Sequence, residues 1–167
     1  MVVLVILILD IIMSKKKRRI RPLVLVIIRR PSDGGYLLME GYDRVKDQHF
    51  LRPLGGGIEF GETGEVAIRR EMMEEISAEL VDLQFVKVFE NIFVLDGKPG
   101  HEIILMYRAD LADESQYEVE RFDFTDGKNN EDRVTAVWRT IDFVRAHPEI
   151  PLYPEGLVEL LESGLGS

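Results

Sequence analysis

At 167 residues the chain is long enough for one domain with a sizeable core, and its 46% apolar and 31% charged composition is that of a folded protein. It has no cysteine, which excludes disulfides, thiolate metal sites and a cysteine nucleophile. A formal charge of −9 disfavours a stable nucleic-acid complex, and an acidic protein that handles phosphates needs a cation to screen them.

Residues 1–12 are apolar except for Asp10, and a basic run from Lys15 to Arg19 follows Met13 and Ser14. A spanning helix needs about 20 apolar residues, which makes a membrane anchor the less favoured reading. A secretory signal carries its positive charges before the apolar stretch, not after it. Residues 1–19 are therefore taken as an extension, with Met13 as an alternative start and the basic run as a solvated linker. The domain is assigned to 20–167 and the expected location is cytoplasmic.

From there the pattern is α/β. The continuous apolar run from Leu23 to Ile28 predicts a buried strand, and Pro31 to Gly35 is a turn signal before a second strand at 36–40. Residues 41–47 read as loop and 48–53 as extended. A helix is predicted over 64–79, with Thr63 as N-cap and Glu65 in its first turn. Strands are predicted at 82–94 and 102–109, joined by a loop from Asp96 to Gly100. Residues 110–132 are acidic and irregular, with a short strand near Tyr117 to Val119. A strand follows at 133–139, then helical segments near 141–147 and 155–163.

The informative stretch runs from Gly56 to Leu80. At 100° per residue, Glu71, Glu74 and Glu75 share an arc of about 100° on one helix face. Val66, Met73, Ile76 and Leu80 fall on the opposite side, the expected sheet-packing stripe, with Arg69 as a blemish in it. Three like charges at this spacing repel one another, and Arg70 offsets only part of that. A hard divalent cation with oxygen ligands compensates directly; a solvated acidic face is the alternative. Leu54 to Gly57 and Gly61 add backbone open to close approach by phosphate or metal-bound water, although tight turns alone also use glycine.

Gly56, five residues, Glu62, seven residues, then Arg70-Glu71-Met72-Met73-Glu74-Glu75 resembles the Nudix box of the Nudix hydrolases. The box covers 23 residues, and the flanking strand and helix order is similar to the family domain from about 20 to 163. Ser77 stands where the box has glycine, and Ala78 where a larger apolar residue is typical. Glycine there ends the helix in a left-handed conformation, so serine is expected to let the helix run on through Glu79 and Leu80.

The resemblance implies an α/β/α sandwich with a mixed β-sheet. It also implies hydrolysis of a nucleoside diphosphate linked to another moiety, with Mg2+ or Mn2+ as cofactor. Carried over position by position, Glu71, Glu74 and Glu75 are the implied metal ligands, and Gly56 brings backbone to the metal. Glu62 holds the loop or ligates through water, and Arg70 orients the glutamates. The general base comes from the box or from a loop; Glu131 and Asp132 are the loop candidates against plain solvation. Glu102 either faces the site or faces water.

For substrate binding, Arg52, Gly56, Gly57 and Tyr153 are the candidates, with Tyr153 either stacking on a base or packing on the domain. Arg29 and Arg30 are expected to be solvated, and His49, His101 and His147 structural. The expected partner is a small nucleoside diphosphate derivative, and a homodimer is admitted. The rival reading is a Nudix-fold binding or regulatory module without catalysis, which usually shows damaged ligand positions. Isopentenyl-diphosphate-type isomerisation is disfavoured by the absence of cysteine.

Overall fold

The computed structural model describes residues 19–126 and 132–164. In chain order the elements are β1 (Arg21–Ile27), β2 (Tyr36–Asp43), β3 (Gln48–Pro53), α1 (Gly64–Ile76), β4 (Leu80–Leu95) and β5 (Lys98–Leu111). A 3-10 turn (Glu114–Glu118), β6 (Arg121–Asp126), β7 (Asp132–Arg139), α2 (Ile141–Ala146) and α3 (Leu157–Glu162) complete them.

Strand β1 organises the layers because it is apolar on both faces, as a strand covered on both sides must be. Val24, Val26 and Ile28 pack with Ile68, Met72 and Ile76 of α1. Leu23, Leu25 and Ile27 pack with Val144 of α2 and Leu157, Leu160 and Leu161 of α3. The result is the α/β/α sandwich expected from the sequence.

Two sheets supply the middle layer. The mixed sheet has the order β1-β5-β4, with β1 parallel to β5 and β4 antiparallel to it. The second sheet, β3-β2-β7-β6, is antiparallel throughout. Residues 54–58 join them, because the Val24 and Val26 amides donate to the Gly56 and Leu54 carbonyls at 2.9 and 3.0 Å. The Ile58 amide returns a bond to the Pro22 carbonyl at 3.1 Å. The glycine loop is thereby pinned to the central strand.

The structure corrects several local expectations. Helix α1 stops at Ile76, because Ser77 itself takes the left-handed conformation at φ 53°. Its amide and that of Ala78 bond back to Met73 and Met72 at 3.1 and 3.2 Å, closing the orphan carbonyls. The buried face of α1 also differs from the expected stripe. Val66 and Met73 are 54% and 44% exposed, whereas Gly64, Ala67, Ile68, Met72 and Ile76 are buried. These buried positions flank Glu71 and Glu75 on the helical wheel, so the two carboxylates turn inward with the apolar side. Hydrogen bonds offset the desolvation that such placement entails.

Elsewhere, Tyr117 lies in the 3-10 turn rather than a strand, and its hydroxyl oxygen accepts from the Leu111 amide at 2.9 Å. Part of the segment read as irregular forms β6. The β4–β5 hairpin turns within Asp96 and Gly97 alone, both at positive φ, so Lys98 to Gly100 are strand instead of loop. Strand β2 continues through Asp43, into the segment read as loop.

Candidate active site

Helix α1 begins at Thr63, whose hydroxyl accepts from the Val66 amide at 3.3 Å. That start sets the phase of Arg70, Glu71, Glu74 and Glu75 toward the glycine loop. Arg70 is the hub. It grips Glu62 with two bonds of 2.8 and 2.9 Å and reaches Glu71 at 2.8 Å, Glu74 at 3.2 Å and the Gly57 carbonyl at 3.0 Å. The fixed guanidinium fork makes this possible; an ammonium cannot reproduce it.

The charge pattern follows. Arg70 and the Glu59 amide hold the Glu62 carboxyl at about 2, well below the usual range. Glu62 in turn pushes the Arg70 guanidinium up. Glu75 accepts from the Gly55 amide at 3.1 Å. Glu71 lies against Gly56 so closely that a Cβ there would stand 2.6 Å from its carboxyl carbon. A side chain there would push the Glu71 carboxylate out of its present place. Glu74 is the solvent-facing member, 60% exposed.

Among the described residues, no three acidic or histidine side chains are placed so as to enclose a metal ion. Arg70 supplies the positive charge among the glutamates instead. The donor set nevertheless fits a hard cation: three carboxylates with the glycine backbone beside them, in a cradle that a larger residue would fill.

Beside the loop lies a cavity of about 380 Å3, within the size range of small-molecule sites. Arg52, Gly56, Gly57 and Tyr153, the four substrate candidates, all line it. Arg52 is fixed by donating to the Met39 sulfur at 2.9 Å and the Gly55 carbonyl at 3.0 Å. Tyr153 meets Phe50 edge-on at 5.9 Å. Glu102, read as facing either the site or water, is only 4% exposed and lines the same cavity.

Other candidates lie apart. Glu131 falls outside the described residues, and of Asp132 only the strand backbone is described. Arg30 is engaged by Asp33 and Glu120, and Arg29 lines a different cleft. His101 pairs with Glu90, His147 with the Phe143 carbonyl and His49 packs on Tyr42. Sequence reading missed Asp43, Phe50, Asn91 and Phe93 as cavity residues. Their only signal is cross-strand register, which a single sequence does not print.

The NUDIX domain model matches residues 19–159. Among solved structures, the fold is similar to a NUDIX hydrolase from Nitrosomonas europaea, at 20% identity, TM-score 0.60, and 87% and 90% coverage of this and that chain. It is also similar to the E. coli ORF135 protein, at 23% identity, TM-score 0.51, and 87% and 91% coverage. A MutT protein from Bacillus halodurans follows at 17% identity, TM-score 0.55, and 89% and 84% coverage. At these identities the likeness establishes fold; the domain match over most of the chain establishes membership, and the protein belongs to the NUDIX family.

Proposed function

We propose that this protein hydrolyses a phosphoanhydride bond in a nucleoside diphosphate linked to another moiety, with Mg2+ or Mn2+. The single observation that carries the reading is the Arg70 hub, with Glu62, Glu71 and Glu74 on it, facing a glycine cradle that opens beside a ligand-sized cavity. Catalytically inactive modules of this fold are expected to have lost part of that set, and here it is whole.

Glu71, Glu74 and Glu75, with backbone of Gly56, would hold the cation. When bound, it supplies charge neutralisation at the phosphoryl oxygens and acidifies water for attack. Arg70 aims Glu71 and Glu74 by charge-assisted bonds. Glu62 anchors Arg70 to the loop. Arg52, at the cavity wall, would bind phosphate oxygens as they approach the cradle. Tyr153 closes one side and would pack on the nucleoside.

The test is a panel of nucleoside diphosphate derivatives with Mg2+ or Mn2+, read by chromatography of the products. Hydrolysis by the parent and its loss in Glu71→Gln and Glu74→Gln is the expected result. Unaltered metal-free nucleotide binding with no hydrolysis of any panel member would favour the binding-module reading.

A further inference from the structure

Among the described residues, the two buried charged side chains are Asp43 and Glu102, 3% and 4% exposed, and both line the one cavity beside the glycine loop. A carboxylate taken out of water is costly unless it is paired; both are partnered by the protein, Asp43 by Lys46 and two backbone amides and Glu102 by Arg21 and Asn91, and both bring further acceptor capacity to one ligand-sized space. Asp43 Oδ2 is buried and accepts no hydrogen bond. Its other oxygen accepts from the Val45 and Lys46 amides, both at 3.0 Å, and Oδ2 forms an ion pair with the Lys46 ammonium at 3.4 Å.

Register explains how Glu102 comes to sit there. Arg21 and Asn91 are its direct partners on the two neighbouring strands, so the three side chains form a row across the mixed sheet. The next row, Leu23, Ile104 and Phe89, is apolar core under α2 and α3. The polar row lies where the sheet emerges from that cover. Arg21, 62% exposed at its side chain, pairs with Glu102 Oε1, and Asn91 donates to Oε2 at 3.3 Å. An ionised carboxylate accepts at about four lone-pair sites, so each oxygen keeps acceptor capacity.

The walls are aromatic, one from each sheet. Phe50 lies over its cross-strand partner Gly41, and Phe93 over Gly100, closely enough that a Cβ on either glycine would collide with the ring. Aromatic walls offer stacking surfaces, which suit a planar ligand.

We propose that this cavity takes a nucleobase and that Glu102 selects guanine, a reading that rests on the nucleotide assignment above. Aromatic walls favour a base, and the buried acceptor favours an edge with adjacent donors. Guanine offers two, N1–H and the 2-amino group, in the fork that matches a carboxylate. Hypoxanthine lacks the 2-amino donor, xanthine puts an oxygen there, and adenine has an unprotonated N1. Gly56 and Gly57 on the same cavity set the phosphates toward the glutamates.

Titration calorimetry with GMP, IMP, XMP and AMP, without metal, tests this independently of hydrolysis. GMP is expected to bind at least about tenfold more tightly than the other three, the scale of one hydrogen bond to a charged group. Glu102→Gln is expected to bring GMP to within about threefold of IMP. Arg21→Gln breaks the same ion pair but keeps the acceptor, and is expected to preserve the preference. Equal affinity for GMP and IMP in the parent overturns the assignment, as does no binding of any of the four. A preference that survives Glu102→Gln overturns it too. If Glu102→Gln does not fold, the parent's comparison of GMP with IMP and XMP still decides. Guanine preference without hydrolysis of any diphosphate would leave this assignment standing and remove the catalytic one; hydrolysis without base preference would do the reverse.

Discussion

Arg70 makes one ion pair with each of three carboxylates, so its removal leaves Glu62, Glu71 and Glu74 facing one another without their cation. Arg70→Met is expected to lower stability by about 2–4 kcal/mol, because partly buried charges lose their partner. Arg70→Lys should recover little of it, since a lysine cannot span Glu62 and Glu71 together. Chemical denaturation of the three proteins measures both. Glu74 behaves differently because it is mostly solvated. Glu74→Gln is expected to leave metal-free stability within about 0.5 kcal/mol of the parent, as substitutions of exposed groups do. It should also reduce the melting-temperature rise given by Mg2+ and lower turnover at least about a hundredfold. Paired melting curves and one rate measurement check all three.

The pH response at this scale belongs to Asp33. Arg30, with help from the Gly35 amide, holds its carboxyl at about 2, against an ordinary 3.8. A depressed folded value means the ionised form stabilises the fold. That contribution is complete above about pH 4 and disappears as pH falls through about 2. Asp33→Asn should therefore be less stable than the parent at pH 7 and converge on it near pH 2, seen in denaturation midpoints across that range.

At the scale of elements, Ser77 is the informative case. A non-glycine residue in the left-handed region carries a strain of roughly 1 kcal/mol. Ser77→Gly is expected to raise stability by about that amount in thermal denaturation without moving α1. The departure from the box's glycine was legible in the sequence, but its outcome was not. Continuation of the helix would have left Ala78 and Leu80, both buried, without their places at the start of β4. Tertiary burial outweighed the local preference. The inward turn of Glu71 and Glu75 escaped sequence reading for a related reason. A helical wheel assigns charge to solvent, whereas the Gly55 amide and the Arg70 guanidinium help make the buried side tolerable. By contrast the core strand β1, the Thr63 cap and the glutamate spacing follow from composition and period alone, and were legible.

For the whole molecule, the family match begins at residue 19 and β1 at Arg21. A chain starting at Met13 is therefore expected to keep its melting temperature and its nucleotide affinity, and calorimetry of both forms checks this. Within the domain, strand β1 is held on one edge by β5 and on the other by the backbone of residues 54–58. The glycine loop thus cannot lift away without breaking the Val24 and Val26 amide bonds in the centre of the molecule. In hydrogen–deuterium exchange, those two amides should be released only by global unfolding, at the same free energy as the innermost β5 amides. A loop so anchored gives any bound anion a fixed wall, and leaves adjustment during turnover to side chains such as Glu74.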